Sequence, residues 1–350
     1  MDFAFSDEQE QLRTAARRYL ADRFPAERVV ELADSDAGWD PATWRELADL
    51  GWLDPDLGLL EHAVLAEEAG AVLLPAPWWS SVGLAGPLID AELRGAVAAG
   101  DRSVTLAWAE PGGSMAIDAP AATTAASGGT LTGRKLLVPD LGLVTDVVVT
   151  ADDGLYAVDV AAHPEVVVLR STTDRTRRLG ELHLDGTPAR RLDVPPTGLA
   201  GARRVALALL ACESVGVAQR ALDLVAAYTK ERQQFGRVIG TYQGVSHRVA
   251  NTFVTLQLSR SLAYWAAWAV SADDAQADAA VAAAKSAGGE GSVFACEQAI
   301  QAHGGIGFTW EHVLHRYYKR AQWIDGFDGT GRDQRARIAT AILGDVSPAA

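Results

Sequence analysis

"QAHGGIGFTWEH", residues 301–312, interrupts two stretches of helical pattern. The segment before it, "SVFACEQAIQA", reads as a helix; Gly304 and Gly305 stop that helix, and "TWEHVLHRYYKRAQW" takes the pattern up again. Closely spaced glycines just after a helix let a backbone approach a flat or phosphorylated ligand. A Rossmann fingerprint needs a strand in front of its glycines and a βαβ unit around them. A helix stands there instead, so the sequence points away from a parallel α/β fold.

Helical pattern extends outward from this break over the whole second half. From Ala200 the chain runs through long segments with wide Ala and Leu faces, as in a bundle whose helices each touch several others. Gly236 and Gly240 separate the first two, within and after "ERQQFG" (231–236). Arg232 and Gln243 flank that break, so a cation and an amide converge at a helix terminus, an arrangement suited to a pyrophosphate and its sugar. Phe235 lies between them. A solvated Arg and a turn-capping Gln are the alternative reading.

Upstream the pattern changes twice. Short β-rich runs such as "RSVTLAWAE", "LTGRKLLVP", "VTDVVVTA" and "GLYAVDV" follow one another from about residue 99 to 199, separated by Gly, Asp and Pro, and predict an antiparallel sheet or barrel. An Ala, Thr and Gly tract at 119–129 reads as a surface loop. Residues 1–98 read as helices: Ser6 and Gln9 form a capping box, Pro41 stands at a helix start after Asp40, and "EHAVLAEEAGAVLL" is a third. The expected fold is α+β and mainly α. Its parts are an N-terminal helical domain (1–98), a middle antiparallel β domain (99–199) and a C-terminal four-helix bundle (200–350).

Composition narrows the partners. With 350 residues and 49% hydrophobic content the chain can bury a large core. A formal charge of −14 without a long single-sign block disfavours nucleic acid and anionic membrane. Cys212 and Cys296 lie in apolar helical contexts, which fits a reducing cytoplasm rather than a disulfide. The first twenty residues carry acids where a signal peptide has a basic region, and no uninterrupted apolar run reaches the ~18 residues of a membrane span. His312 and His315 lack the HExxH pattern of a zinc site, and no G-x-S-x-G elbow supports serine hydrolysis. The ten tryptophans, Trp78 and Trp79 among them, read as core and subunit-contact residues.

The three-part order, with "ERQQFG", Gln243, "QAHGGIGF" (301–308) and "FDGT" (327–330), resembles the acyl-CoA dehydrogenase family of flavoproteins over nearly the whole chain. The resemblance implies an FAD cofactor, a homotetramer or heterotetramer, and α,β-dehydrogenation of a CoA thioester, with electrons passed to an electron-transfer flavoprotein. It places Arg232, Phe235, Gln243, Gln301, Gly304, Gly305 and Thr330 against FAD at a contact between protomers, with Arg232 and Gln301 expected from opposite sides. In the β domain it aligns "LAWAEPGGSM" (106–115) with a loop that meets the flavin through Trp108 and Ala109 and the CoA portion through Ser114. Ala109 stands where the family usually has Thr, and "LLVPD" (136–140) replaces an aromatic followed by Ile-Thr-Asn. The first domain lacks the usual Pro-Glu-x-x-Gly-Gly loop, which suggests a more open pocket for a bulky acyl group.

Removing an α-proton from a thioester while hydride leaves the β-carbon requires a carboxylate over the α-carbon. Matching "FDGT" to the family's Tyr-Glu-Gly-Thr puts Asp328 there, one methylene shorter than Glu. Relatives that oxidise nitroalkanes use aspartate at this position, and paired-subunit relatives have lost the base. Asp328 could instead serve the start of the helix near Gly331. Other members carry the base on the first bundle helix, where this chain has Ala206 or Leu207; Glu213 is the nearest acid. The rival functions are a non-catalytic partner subunit completing an FAD site, and a nitroalkane oxidase or N-hydroxylase type of flavoenzyme.

Overall fold

The computed structural model describes residues 4–120, 122–194 and 198–344. Helices α1 (Asp7–Arg23), α2 (Ala26–Asp34), α3 (Ala42–Asp49), α4 (Leu59–Val72) and α5 (Ala91–Ala98) come first. Strands β1 (Val104–Ala107), β2 (Ala125–Ser127), β3 (Thr130–Pro139), β4 (Asp146–Ala151), β5 (Gly154–Asp159), β6 (Val167–Arg170), β7 (Leu179–Pro188) and β8 (Arg190–Leu192) follow. The remainder is α6 (Gly198–Glu231), the short strands β9 (Gln233–Gln234) and β10 (Arg237–Val238), then α7 (Gln243–Ser271), α8 (Ala277–His303), α9 (Leu314–Gly326) and α10 (Gly331–Leu343). The fold is mainly helical, with a small, largely antiparallel β region and a C-terminal helical domain.

Packing density divides the chain into two units that cut across its linear order. One holds residues 1–30, 59–74 and 208–350; the other holds 31–58 and 75–207. The first and fourth helices thus belong with the C-terminal bundle. Composition explains α4: its residues from His62 to Gly70 are all buried, so it needs neighbours on every side.

In the first unit, α1 starts as read. Ser6 Oγ accepts the Gln9 N–H at 3.2 Å, and Gln9 Oε1 accepts the Ser6 N–H at 3.0 Å. Both buried acids of α4 are paired. Arg17 donates to Glu68 at 3.0 and 2.8 Å, while Arg260 donates to Glu67 at 3.0 and 2.9 Å and Tyr264 adds a hydroxyl at 2.6 Å. Two glycines let α4 and α6 touch backbone to backbone. A Cβ on Gly216 would sit 1.9 Å from the Glu67 carbonyl oxygen, and one on Gly70 2.1 Å from that of Glu213. The helix α6 is by length and average composition apolar enough to cross a membrane, although, as read, no uninterrupted apolar run in it reaches ~18 residues. Glu213 breaks the uninterrupted run without lowering the average much, and most of the apolar stretch is buried in the protein.

In the second unit the strands form two four-stranded sheets, ordered β1-β4-β5-β8 and β2-β3-β7-β6. All pairings are antiparallel except β1 with β4, where Val104 lies beside Asp146 and Ala107 beside Val149 in parallel. Between these two strands the chain visits the other sheet through β2 and β3, a connection long enough to reverse direction. The tract at 119–129, read as loop, contributes β2. Val147, Val149, Val158, Leu131, Val138 and Leu182 fill the core. Trp78 and Trp79 are buried, their indoles donating to Trp52 O at 3.0 Å and Ala206 O at 2.9 Å. Trp79–Ala85 forms a π-helical turn that no local pattern announced.

Candidate active site

The helix α6 gives way at Arg232 to a two-residue hairpin. Arg237 pairs with Gln234 and Val238 with Gln233, leaving Phe235 and Gly236 as the turn, with φ of 52° and 80°. Two consecutive positive φ values define a type I′ turn, normally Asn-Gly. Glycine at 236 is free of penalty, whereas phenylalanine at 235 costs ~1–2 kcal/mol. Its ring is also 94% exposed. A bulky apolar residue held in a strained conformation and presented outward serves nothing in this chain's own packing, which is the mark of a contact surface. Tyr242 steadies the hairpin, its hydroxyl donating to Gln234 O at 3.0 Å while the Arg237 guanidinium lies 3.9 Å from its ring centre.

Facing this hairpin is the C-terminal end of α8. Gly304 ends that helix with φ of 66°, its N–H bonded to the carbonyls of Gln301 and Ile300. Cβ atoms on Gly304 or Gly305 would meet no other atom of the chain within 4 Å. Between the two walls lies a cavity of about 510 Å³, lined by Arg232, Phe235, Gln301, Gly304 and Gly305 among others. Arg232 and Gln301 therefore face one cavity of a single chain. Both elements sit at the same end of the bundle, on facing walls of that cavity. Gln243 opens α7 between Tyr242 and Gly244, which line the cavity.

Among the further wall residues that escaped the sequence reading are Tyr228, Tyr242, Arg248 and His303. Tyr228 lies one helical turn before Arg232 and shares its face, a spacing that could have revealed it. Its ring stacks on His303 at 4.2 Å, and His303 Nδ1 is 2.7 Å from Ala299 O. Burial pushes the His303 pKa down and outweighs that hydrogen bond, so the imidazole is a neutral, flat wall at pH 7. Arg232 and Arg248 supply the positive charge. A guanidinium, open glycine backbone and aromatic walls fit a ligand with an anionic centre and flat rings, so FAD is compatible with the residues present.

Asp328 lies elsewhere in this unit, in the connection from α9 to α10. It is half-buried with φ of 53°, followed by Gly329 at 93°. The start of α10 is capped by Thr330 and Asp333: the Thr330 N–H and hydroxyl each donate to Asp333 Oδ2 at 2.8 Å. The capping task that competed for Asp328 is thus performed by another carboxylate, and the Thr330 hydroxyl is engaged in it. Glu213 is buried against Arg320, both under 5% exposed, in an ion pair that occupies it. Ala206 and Leu207 are fully buried and carry no acid.

In the other unit, the two segments aligned with flavin contacts lie side by side. The Leu136 N–H donates to Ala109 O at 2.8 Å, and the buried Trp108 indole donates to Met115 O at 2.8 Å, folding the loop beneath it. Ser114 is exposed and accepts the Ala116 N–H at 3.1 Å. A buried ion pair joins the segments from below. Lys135 donates to Glu110 and, at 2.9 Å, to Thr150, while Glu110 also accepts from Thr123 and Thr124. Burial alone would raise the Glu110 pKa; the Lys135 ammonium and the threonine donors outweigh it and push the carboxyl down to about 2. Just after Lys135 a bulge carries Leu137, half exposed with φ of 51°.

Comparison with known proteins agrees with this architecture. Residues 203–343 match the acyl-CoA dehydrogenase C-terminal domain. Acyl-CoA dehydrogenase IpdE2 of Mycobacterium tuberculosis is 33% identical over 328 residues, covering 90% of this chain and 91% of that protein. A variant of the Tcur3481-Tcur3483 steroid ACAD shares the fold with a TM-score of 0.84 and 30% identity, over 96% of this chain and 98% of that one. The ChsE4-ChsE5 complex from Mycobacterium tuberculosis gives 0.86 and 26% over the full length of both chains. By sequence and by fold along nearly its entire length, this chain belongs to the acyl-CoA dehydrogenase family.

Proposed function

We propose that the protein is an FAD-dependent dehydrogenase that introduces an α,β double bond into a CoA thioester with a bulky, polycyclic acyl group of steroid origin. The observation that carries the cofactor is the single cavity uniting Arg232, Phe235, Gln301, Gly304 and Gly305. Arg232 would pair with the cofactor's pyrophosphate, the two glycines would admit it close to the backbone, and Phe235 would cover it. When bound, FAD supplies the hydride acceptor. The acyl class follows from the missing Pro-Glu-x-x-Gly-Gly loop and from kinship with a steroid ACAD.

Asp328 removes the α-proton in this reading. Its carboxylate is ~1.5 Å shorter in reach than a glutamate. The left-handed turn at 328–329 sets where it stands, and the carboxylate that caps the next helix is that of Asp333. Positioned general bases contribute ~100-fold or more. In anaerobic mixing with steroid-side-chain acyl-CoAs, wild type bleaches its flavin and Asp328→Asn does so at least ~100-fold more slowly. Equal rates would remove Asp328 from the chemistry.

One observation favours a second reading. The segments at 106–115 and 136–140 offer Ala109, Leu137 and Pro139 where hydroxyl and aromatic contacts are usual, a weakened half-site. A companion chain would then complete the flavin site in a heterotetramer. That form stays colourless alone and turns yellow, with turnover, only on mixing with the second chain.

A further inference from the structure

The turn that presents Asp328 is held by its backbone. We propose that Lys285 and Gln334 are positioning residues that fix this carboxylate, an inference that rests on Asp328 acting as the base. Lys285, on α8, is fully buried, yet its ammonium points at the turn and donates to Asp325 O at 3.0 Å and Gly329 O at 3.3 Å. Gln334, on α10 and also fully buried, donates through Nε2 to Asp328 O at 2.7 Å. Three carbonyls within five residues are thus gripped by two side chains from two helices. A third grip lies just beyond, where Ser286 Oγ donates to Gly331 O at 3.4 Å.

Chemistry explains why such donors are needed. A residue with φ of 53° followed by a glycine at 93° turns its carbonyls away from any helical partner, and a buried carbonyl without a donor is costly. Methionine in place of either donor would keep the side chain's length and leave those oxygens bare. A buried lysine is expensive in its own right, and an apolar residue would fill the same space. Beside the turn its ammonium donates to two of these carbonyls and lies near enough to the Asp325 carboxylate to act on its charge. An aspartate with short reach depends on such a grip, because it has no spare methylene with which to correct its own placement.

The test uses the assembled, flavin-loaded protein and two variants, Gln334→Met and Lys285→Met, with Asp328→Asn as reference. Deuterium uptake of the peptide spanning 325–331 should rise ~10-fold in a methionine variant, with other peptides unchanged. Anaerobic flavin reduction by the acyl-CoA at saturation should slow ~10- to 100-fold, with half-saturating concentration within about twofold. Unchanged uptake in the folded variants overturns the grip. Raised uptake with a wild-type reduction rate, while Asp328→Asn is slow, overturns the positioning role and leaves the base standing. A wild-type rate in Asp328→Asn removes the base and this inference with it. Should one methionine variant fail to fold, the other decides.

Discussion

Alanine at Gly216 should be a severe substitution for so small a change. Its Cβ would lie 1.9 Å from the Glu67 carbonyl oxygen and 2.8 Å from the Ala71 nitrogen, whereas side chains stay beyond 3.0 Å. The helices α4 and α6 must then separate by about 1 Å, and neither obstacle is a flexible side chain. Alanine returns ~1 kcal/mol of helix propensity, while overpacking against rigid backbone costs ~3 kcal/mol. The net is ~2 kcal/mol of destabilisation, or ~3 °C in Tm for a chain of this size. The same opening would relieve Gly70, whose Cβ would meet Glu213 O at 2.1 Å. Gly70→Ala added to Gly216→Ala should therefore cost ~1 kcal/mol less than the two single effects together. Urea unfolding of the four proteins followed by circular dichroism measures all of this. A Gly216→Ala protein as stable as wild type, or strict additivity, would refute the backbone contact.

Other outcomes follow from the same geometry. Gly305→Val points its side chain into the open cavity, so the flavin-free protein should melt within about 1 °C of wild type while FAD affinity, read by fluorescence titration, falls ~10-fold or more. Arg232→Met should weaken FAD by ~10-fold through loss of a charge-assisted contact, with the melting point nearly unchanged. Glu110 has its pKa lowered in the fold, so its stabilising effect is complete above the ordinary carboxylate value of 4.5 and is lost as pH falls toward about 2. Acid titration of stability should lose slope over that window in Glu110→Gln. Glu213→Gln breaks a buried pair with Arg320 and should cost ~3 kcal/mol, which a denaturation curve reads directly.

Local rules were legible in the sequence, and assembly was not. The Ser6–Gln9 box and the glycine stop at Gly304 obey signals confined to a few residues, so they could be read and are found. The parallel pairing of β1 with β4 could not, because an apolar run such as "VTLA" looks the same beside either kind of neighbour. The union of α1 and α4 with the bundle depends on Gly70 and Gly216, two glycines that read as ordinary weak spots in helices until their partners are known. Within the site, Arg232 and Gln301 were marked by motif, but their common cavity is a fact of three dimensions. Tyr228 and His303 were hidden because an aromatic on a buried helix face reads as core. Lys285 was invisible for the same reason, a single cation in an alanine-rich stretch whose carbonyl partners lie some forty residues away.

The interleaving of the two units bears on synthesis at the ribosome. Residues 31–58 and 75–207 make up the strand-bearing unit, so it can close while the last two fifths of the chain are still being made. The first and fourth helices cannot; their partners begin at Ala208, and the fully enclosed α4 must wait, apolar and uncovered, for the C-terminal helices to emerge. Synonymous slowing of translation after residue 207, or a chaperone that shelters nascent helices, should raise the yield of soluble protein, whereas a chain cut at residue 98 should leave the ribosome with nothing to fold against.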